Sequence, residues 1–237
     1  MLTALWRELT TTQHAPPVWV IALSALVAVI IVVYPTSWHI ARGLITIAHE
    51  GGHAVAALLT RRKLGGIRLH SDTSGVTLTK GRPRGFGMIV TAAAGYVAPS
   101  LLGLGAAWLA RAGYITLLLW AALVLLAGML LLIRNVFGAV SLLAVGGAVF
   151  ALSYFTPDEV QAVVVYVAVW FLLLGGIRPI FELRGKRRRG HAANSDADQL
   201  ALLTRLPGGL WIGWFLLVAA GCLGYGCYLL IPLERLG

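Results

Sequence analysis

From Met88 to Ile177 the chain carries four charged residues, Arg111, Arg134, Asp158 and Glu159. Soluble domains, in which about a quarter of residues are charged, do not contain such a stretch. A helix needs about 20 mostly apolar residues to cross the hydrocarbon core of a bilayer. Seven runs of roughly that length can be marked off, at about residues 18–34, 38–59, 88–110, 114–133, 136–155, 160–177 and 210–231, with six as the alternative count. With 59% of all residues hydrophobic and 12% charged, the lipid bilayer is the solvent for most of the chain. The expected fold is an all-α polytopic membrane protein of about seven transmembrane helices, one domain over 1–237. The first run follows Pro16 and Pro17 and is soon followed by the second, so it reads as a retained anchor rather than a cleaved signal.

The formal net charge of +10 is concentrated in two places. Arg61, Arg62, Lys63, Arg68, Lys80, Arg82 and Arg84 lie between the second and third runs, and Arg178, Arg184, Lys186, Arg187, Arg188, Arg189 and Arg205 between the sixth and seventh. Short basic loops stay on the cytoplasmic side. Two cytoplasmic loops, at about 60–87 and 178–209, follow, with Arg111 and Arg235 on the opposite side. Seven spans then place the amino terminus in the cytoplasm and the carboxyl terminus outside, in a multi-pass protein of a cell membrane. The basic residues flank spans and are not interleaved with aromatic residues, so they argue for topology and against nucleic acid.

The second run contains Ala48-His49-Glu50-Gly51-Gly52-His53-Ala54, the pattern His-Glu-x-x-His. On a helix the two histidines stand one turn apart on one face and can reach one metal ion, while Glu50 is placed as a general base. Ionisable side chains at mid-membrane cost about 2.5 to 3.5 kcal/mol on insertion scales, which makes a functional use the better reading. His39, Arg42, Thr46, His49 and His53 form one polar stripe that must face the bundle or water. His39 and Arg42 could serve a hydrated path to the metal or reach to the interface. Downstream, Ile67 to His70 and Gly75 to Thr79 alternate apolar and polar residues around Ser71-Asp72-Thr73-Ser74, as a β-hairpin does.

These features resemble the site-2 protease family of intramembrane zinc metalloproteases, in a compact bacterial branch. His49 and His53 match its zinc-ligand positions and Glu50 its base. Ala94-Gly95-Tyr96-Val97-Ala98-Pro99-Ser100 is similar to the family's Ala-Gly-Pro-x-Ala-Asn element, with Tyr96 in place of proline and Pro99-Ser100 in place of asparagine. The resemblance implies a zinc cofactor, a substrate that is a membrane protein or transmembrane peptide, and a cytoplasmic hairpin that accepts an unwound substrate as an added strand. Gly75, Val76 and Asn135 are the expected substrate contacts.

The family's third ligand is an aspartate in a Leu-Asp-Gly element, which this chain lacks. Sidedness directs attention to Asp196 or Asp198, because Asp158, Glu159 and Glu234 fall on the outer side in the topology above. Both acids also suit the first turn of a helix, where they would serve as caps. Asp72, His70, Glu182 and Asn135 remain on the correct side as alternatives. The function expected is intramembrane zinc endopeptidase activity within or beside a substrate's transmembrane segment. A non-catalytic membrane scaffold or chaperone on the same fold is the second reading, though it has no use for Glu50. A transporter is a third, without the inverted repeat that many such folds show.

Overall fold

The computed structural model describes residues 10–190 and 195–231. Each apolar run is a helix: α1 (Val18–Val33), α2 (Pro35–Leu59), α3 (Phe86–Arg111), α4 (Ile115–Leu132), α5 (Val136–Phe155), α6 (Asp158–Gly175) and α9 (Gly208–Leu230). Between them lie β1 (Lys63–Leu69), β2 (Gly75–Lys80) and two further helices, α7 (Arg178–Arg188) and α8 (Asp196–Thr204). The segment 178–209, expected as a loop, is thus largely helical.

Length and composition qualify five helices as spans on their own: α3, α4, α5, α9 and the continuous stretch Asp158–Arg188 that joins α6 to α7. The α1–α2 pair qualifies only together, bent by 99°. Proline explains the break, because Pro35 starts α2 and disfavours helical backbone at Tyr34, which is extended. The 16 residues of α1 reach about 24 Å, short of a hydrocarbon core of about 30 Å. The pair begins beside one end of α3 and finishes beside the other. Gln13 donates its backbone N–H to the Gly113 carbonyl at 2.8 Å and its side chain to Thr116 at 3.2 Å. Thr60, at the far end of α2, packs on Gly87. The α1–α2 pair therefore counts as at most one candidate span, and the described helices offer five or six candidate spans where seven were expected.

The order of the helix ends also differs from that of seven separate spans. Seven alternating spans would separate the segment before α1 from the α3–α4 turn, whereas the Gln13–Gly113 bond joins them. Arg111 donates to the Leu229 carbonyl at 2.9 Å, so the end of α9 is on the same face. Glu234 and Arg235 lie outside the described residues.

The hairpin is antiparallel, with Leu69 opposite Gly75 and Ile67 opposite Thr77, and it lies along α2. Thr46 donates to the Thr73 carbonyl at the hairpin tip (2.7 Å), and the Thr77 hydroxyl oxygen lies 3.2 Å from the Glu50 carbonyl oxygen. The other edge of β1 is held by the α4–α5 connection. Arg134 donates its N–H to the Ile67 carbonyl at 2.9 Å, and the Asn135 amide both accepts from Leu69 N–H (3.2 Å) and donates to its carbonyl (2.6 Å). Ile67 and Leu69 are buried there with Ile47, Ala54, Ile133 and Leu142.

Lipid tails are as apolar as leucine, so spanning helices associate by close packing, for which small residues are suited. The α2–α3 contact follows this rule, with Gly52 against Ala94 and Ala98. A second apolar cluster joins α3, α7, α8 and α9 through Ala92, Val97, Leu183, Leu200 and Phe215. On α2, Glu50 and His53 are buried, whereas Arg42, Thr46 and His49 are partly exposed.

Candidate metal centre

His49 and His53, one turn apart on α2, bring their Nε2 atoms to 3.1 Å from each other. The rings meet edge to face, with centroids 4.7 Å apart. His53 is oriented from behind: its Nδ1 lies 2.7 Å from the Thr91 carbonyl on α3, which makes Nδ1 the donor and leaves Nε2 free as a ligand. His49 is held by Tyr96, whose ring stands edge-on to it at 4.8 Å and stacks on Phe215 at 5.1 Å.

The third group is Asp196. Its Oδ2 is 3.2 Å from His49 Nε2 and 3.3 Å from His53 Nε2. Burial works to raise the Asp196 pKa, but the adjacent imidazoles of His53 and His49 outweigh it and hold the carboxyl below the usual carboxylate range. Asp196, His49 and His53 offer ligand atoms that all lie within 4.8 Å of one another.

The donor set suits zinc. With zinc–nitrogen and zinc–oxygen distances near 2.0 to 2.2 Å, tetrahedral ligands stand about 3.3 Å apart. The three observed separations, 3.1, 3.2 and 3.3 Å, agree with that. Room for an ion is kept by Gly95, where an added β-carbon would come within 2.6 Å of His49 Nε2 and closer still to His53 Nε2.

Glu50 is buried, and its Oε2 accepts a hydrogen bond from Thr77 on β2 at 2.5 Å. The strand comes this near because residue 75 is glycine; a β-carbon there would lie 2.6 Å from Glu50 Cγ. Side chains alternate along β2, so Gly75 and Thr77 face α2 whereas Val76 is exposed on the other face. The side chain of Val76, one of the expected substrate contacts, thus points away from Glu50. The backbone alternates too. His70 N–H bonds the Ser74 carbonyl, so the next pair, Leu69 and Gly75, and then Ile67 with Thr77, turn their N–H and C=O groups away from each other. On β1 those groups meet the α4–α5 connection; on β2 they form the open edge beside Glu50.

The remaining sequence candidates have other partners. Asp198 pairs with Arg187 and completes a capping box with Ser195, so it points away from the histidines that Asp196 meets. Asn135 uses its amide on Leu69 instead of facing the site. Asp72 accepts from the Ser74 hydroxyl and N–H in the exposed turn, and these bonds lower its pKa; His70 pairs with the same hydroxyl. Glu182 binds Arg42 at 3.4 Å, Arg178 at 3.3 Å and the Trp38 indole at 2.9 Å, so Arg42 is paired inside the protein while His39 is exposed. Thr77, Thr91 and Tyr96 were not singled out as site residues by the sequence. Only the β2 alternation, which places Thr77 on the Gly75 face, carried a signal for one of them.

A family model described as Peptidase M50B-like matches residues 22–226. No curated protein and no solved structure gives a significant match.

Proposed function

The chain belongs to the Peptidase M50B-like family, the site-2 protease relationship that its motif suggested, and on that premise we propose that it is an intramembrane zinc endopeptidase. The observation that carries the reading is the convergence of His49, His53 and Asp196 with Glu50 adjacent, among helices apolar enough to span a bilayer. Bound there, a zinc ion would supply Lewis acidity and bring the pKa of its water to about 7.

The chain's own residues do the rest. Thr77 holds the Glu50 carboxylate by one oxygen, leaving the other to take a proton from the attacking water and return it to the leaving amine. The open edge of β2 at Gly75 and Thr77 receives an unwound substrate segment as an added strand, which exposes a peptide bond that a helix would shield. The substrate is accordingly a membrane protein or transmembrane peptide. The end of the bundle that holds Arg82 and Arg84, just before α3, and the basic residues of α7 faces the cytoplasm, as does the base of the hairpin. The segment before α1 and the end of α9 then lie outside.

Elemental analysis of detergent-purified protein tests the reading, with about one zinc per chain expected and lost in a His49→Ala, His53→Ala double variant. Glu50→Gln should keep the zinc and lower cleavage of a co-expressed membrane substrate about a hundred- to ten-thousandfold. Zinc-free folded protein, or undiminished cleavage by Glu50→Gln, would overturn it.

A further inference from the structure

Resting on the reading of His49, His53 and Asp196 as a metal centre, we propose that the third ligand is presented by a docked peripheral helix, α8, whose seating is set by the Arg187–Asp198 ion pair. Arg187 is then a positioning residue for metal affinity. The two histidines stand on α2, inside the bundle. Asp196 stands instead on a helix of 9 residues, about 13 Å long, which cannot cross a membrane. It is the first residue of that helix, so its position depends on how the first turn of α8 is held.

Three contacts hold that turn. Ala197 and Leu200 are fully buried with Ile180, Leu183 and Phe215, which sets the depth of α8 against the bundle. The capping box between Ser195 and Asp198 closes the turn upon itself. Arg187, in the last turn of α7, grips Asp198 from outside. Residues two apart on a helix point about 200° apart, so Arg187 holds α8 on the side opposite the metal ligand and fixes its rotation. Its guanidinium occupies the corner where α9 begins, against Gly208, at which a β-carbon would lie 2.8 Å from Nη2. Of Lys186, Arg187 and Arg188, Arg187 alone has an acidic partner among the described residues.

A site shared between the bundle and a docked helix couples metal binding to docking. Whatever loosens α8 weakens the metal, and the metal in turn holds α8 in place. Asp198→Asn separates the ion pair from the cap, because its remaining side-chain oxygen can still accept the Ser195 N–H while the charge and the acceptor oxygen that meets Arg187 are lost.

Zinc affinity of the full-length protein in detergent, measured against a chromophoric chelator, reads the effect directly. Arg187→Ala and Asp198→Asn should each bind zinc about two- to fivefold more weakly, Arg187→Lys should recover most of the loss, and Arg188→Ala should match the parent. Zinc should also slow trypsin cleavage after Arg205 in the parent, and less so in Arg187→Ala. Circular dichroism checks that each variant folds; should Arg187→Ala not fold, Asp198→Asn and Arg187→Lys carry the test. Parental zinc affinity in Asp198→Asn, or an equal loss in Arg188→Ala, would overturn the proposal and leave the metal centre standing. A parent protein that binds no zinc would overturn the metal centre itself, and this proposal with it.

Discussion

At Gly95 one methyl group decides whether the histidines can share an ion. A β-carbon there would occupy the space between their Nε2 atoms. Gly95→Ala is expected to keep its helix content and to fall well below one zinc per chain by elemental analysis; full occupancy would mean that α3 can move back to make room. Thr77 acts on the base instead. Removing a hydrogen bond to a charged group costs about 1.5 to 3 kcal/mol, so Thr77→Val should lower cleavage about ten- to a hundredfold with zinc unchanged. Loss of zinc in that variant would place Thr77 in the metal site rather than beside the base. Asp196 and Asp198 could not be separated in the sequence, since each is an acid in the first turn of one short helix. Their directions around the helix axis separate them, and that rotation is set by contacts with α2 and α7.

Among the elements, the hairpin depends most on distant parts of the chain. Its alternation was legible, and so was the face that carries Gly75. Its place along α2 was not, because the clamp on β1 comes from Ile133 to Asn135, more than sixty residues away. Asn135→Ala would leave the N–H and carbonyl of Leu69 without their side-chain partner. A destabilisation of about 1 to 3 kcal/mol is expected in detergent unfolding, together with slower cleavage and unchanged zinc affinity. Full cleavage activity in a measurably destabilised Asn135→Ala protein would show that the seating of β1 does not govern the β2 edge.

For the whole molecule, the topology turns on how the bent α1–α2 pair sits in the membrane. In a Cys222→Ala, Cys227→Ala background, single cysteines at Thr12 and Ala112 should react with a membrane-impermeant maleimide from the same side of intact cells, and cysteines at Arg82 or Arg188 only after lysis. Labelling of the Thr12 and Ala112 positions from opposite sides would restore seven separate spans. Apolar runs report where helices form, and two adjoining helices give two runs whether they cross separately, in series or not at all. Tyr34-Pro35 marked the break, but the direction in which α2 leaves it follows from contacts with α3 and the hairpin.

Local chemistry was enough to read long apolar helices as the main element, and to place His49 and His53 on one face of α2 with Glu50 beside them. Apolar run length and the one-turn spacing of His49 and His53 are properties of a few consecutive residues, and no packing arrangement alters them. Which acid stands beside the histidines, which hairpin edge lacks a backbone partner among the described residues, and which helix ends lie together each required segments far apart in the chain to meet. Asp196 reaches His49 across 147 positions only because Ala197 and Leu200 seat α8 against α3 and α9. The physical reason is that in a bilayer the pattern of apolar residues specifies which segments are inserted, while close packing between inserted helices specifies which polar side chains face one another.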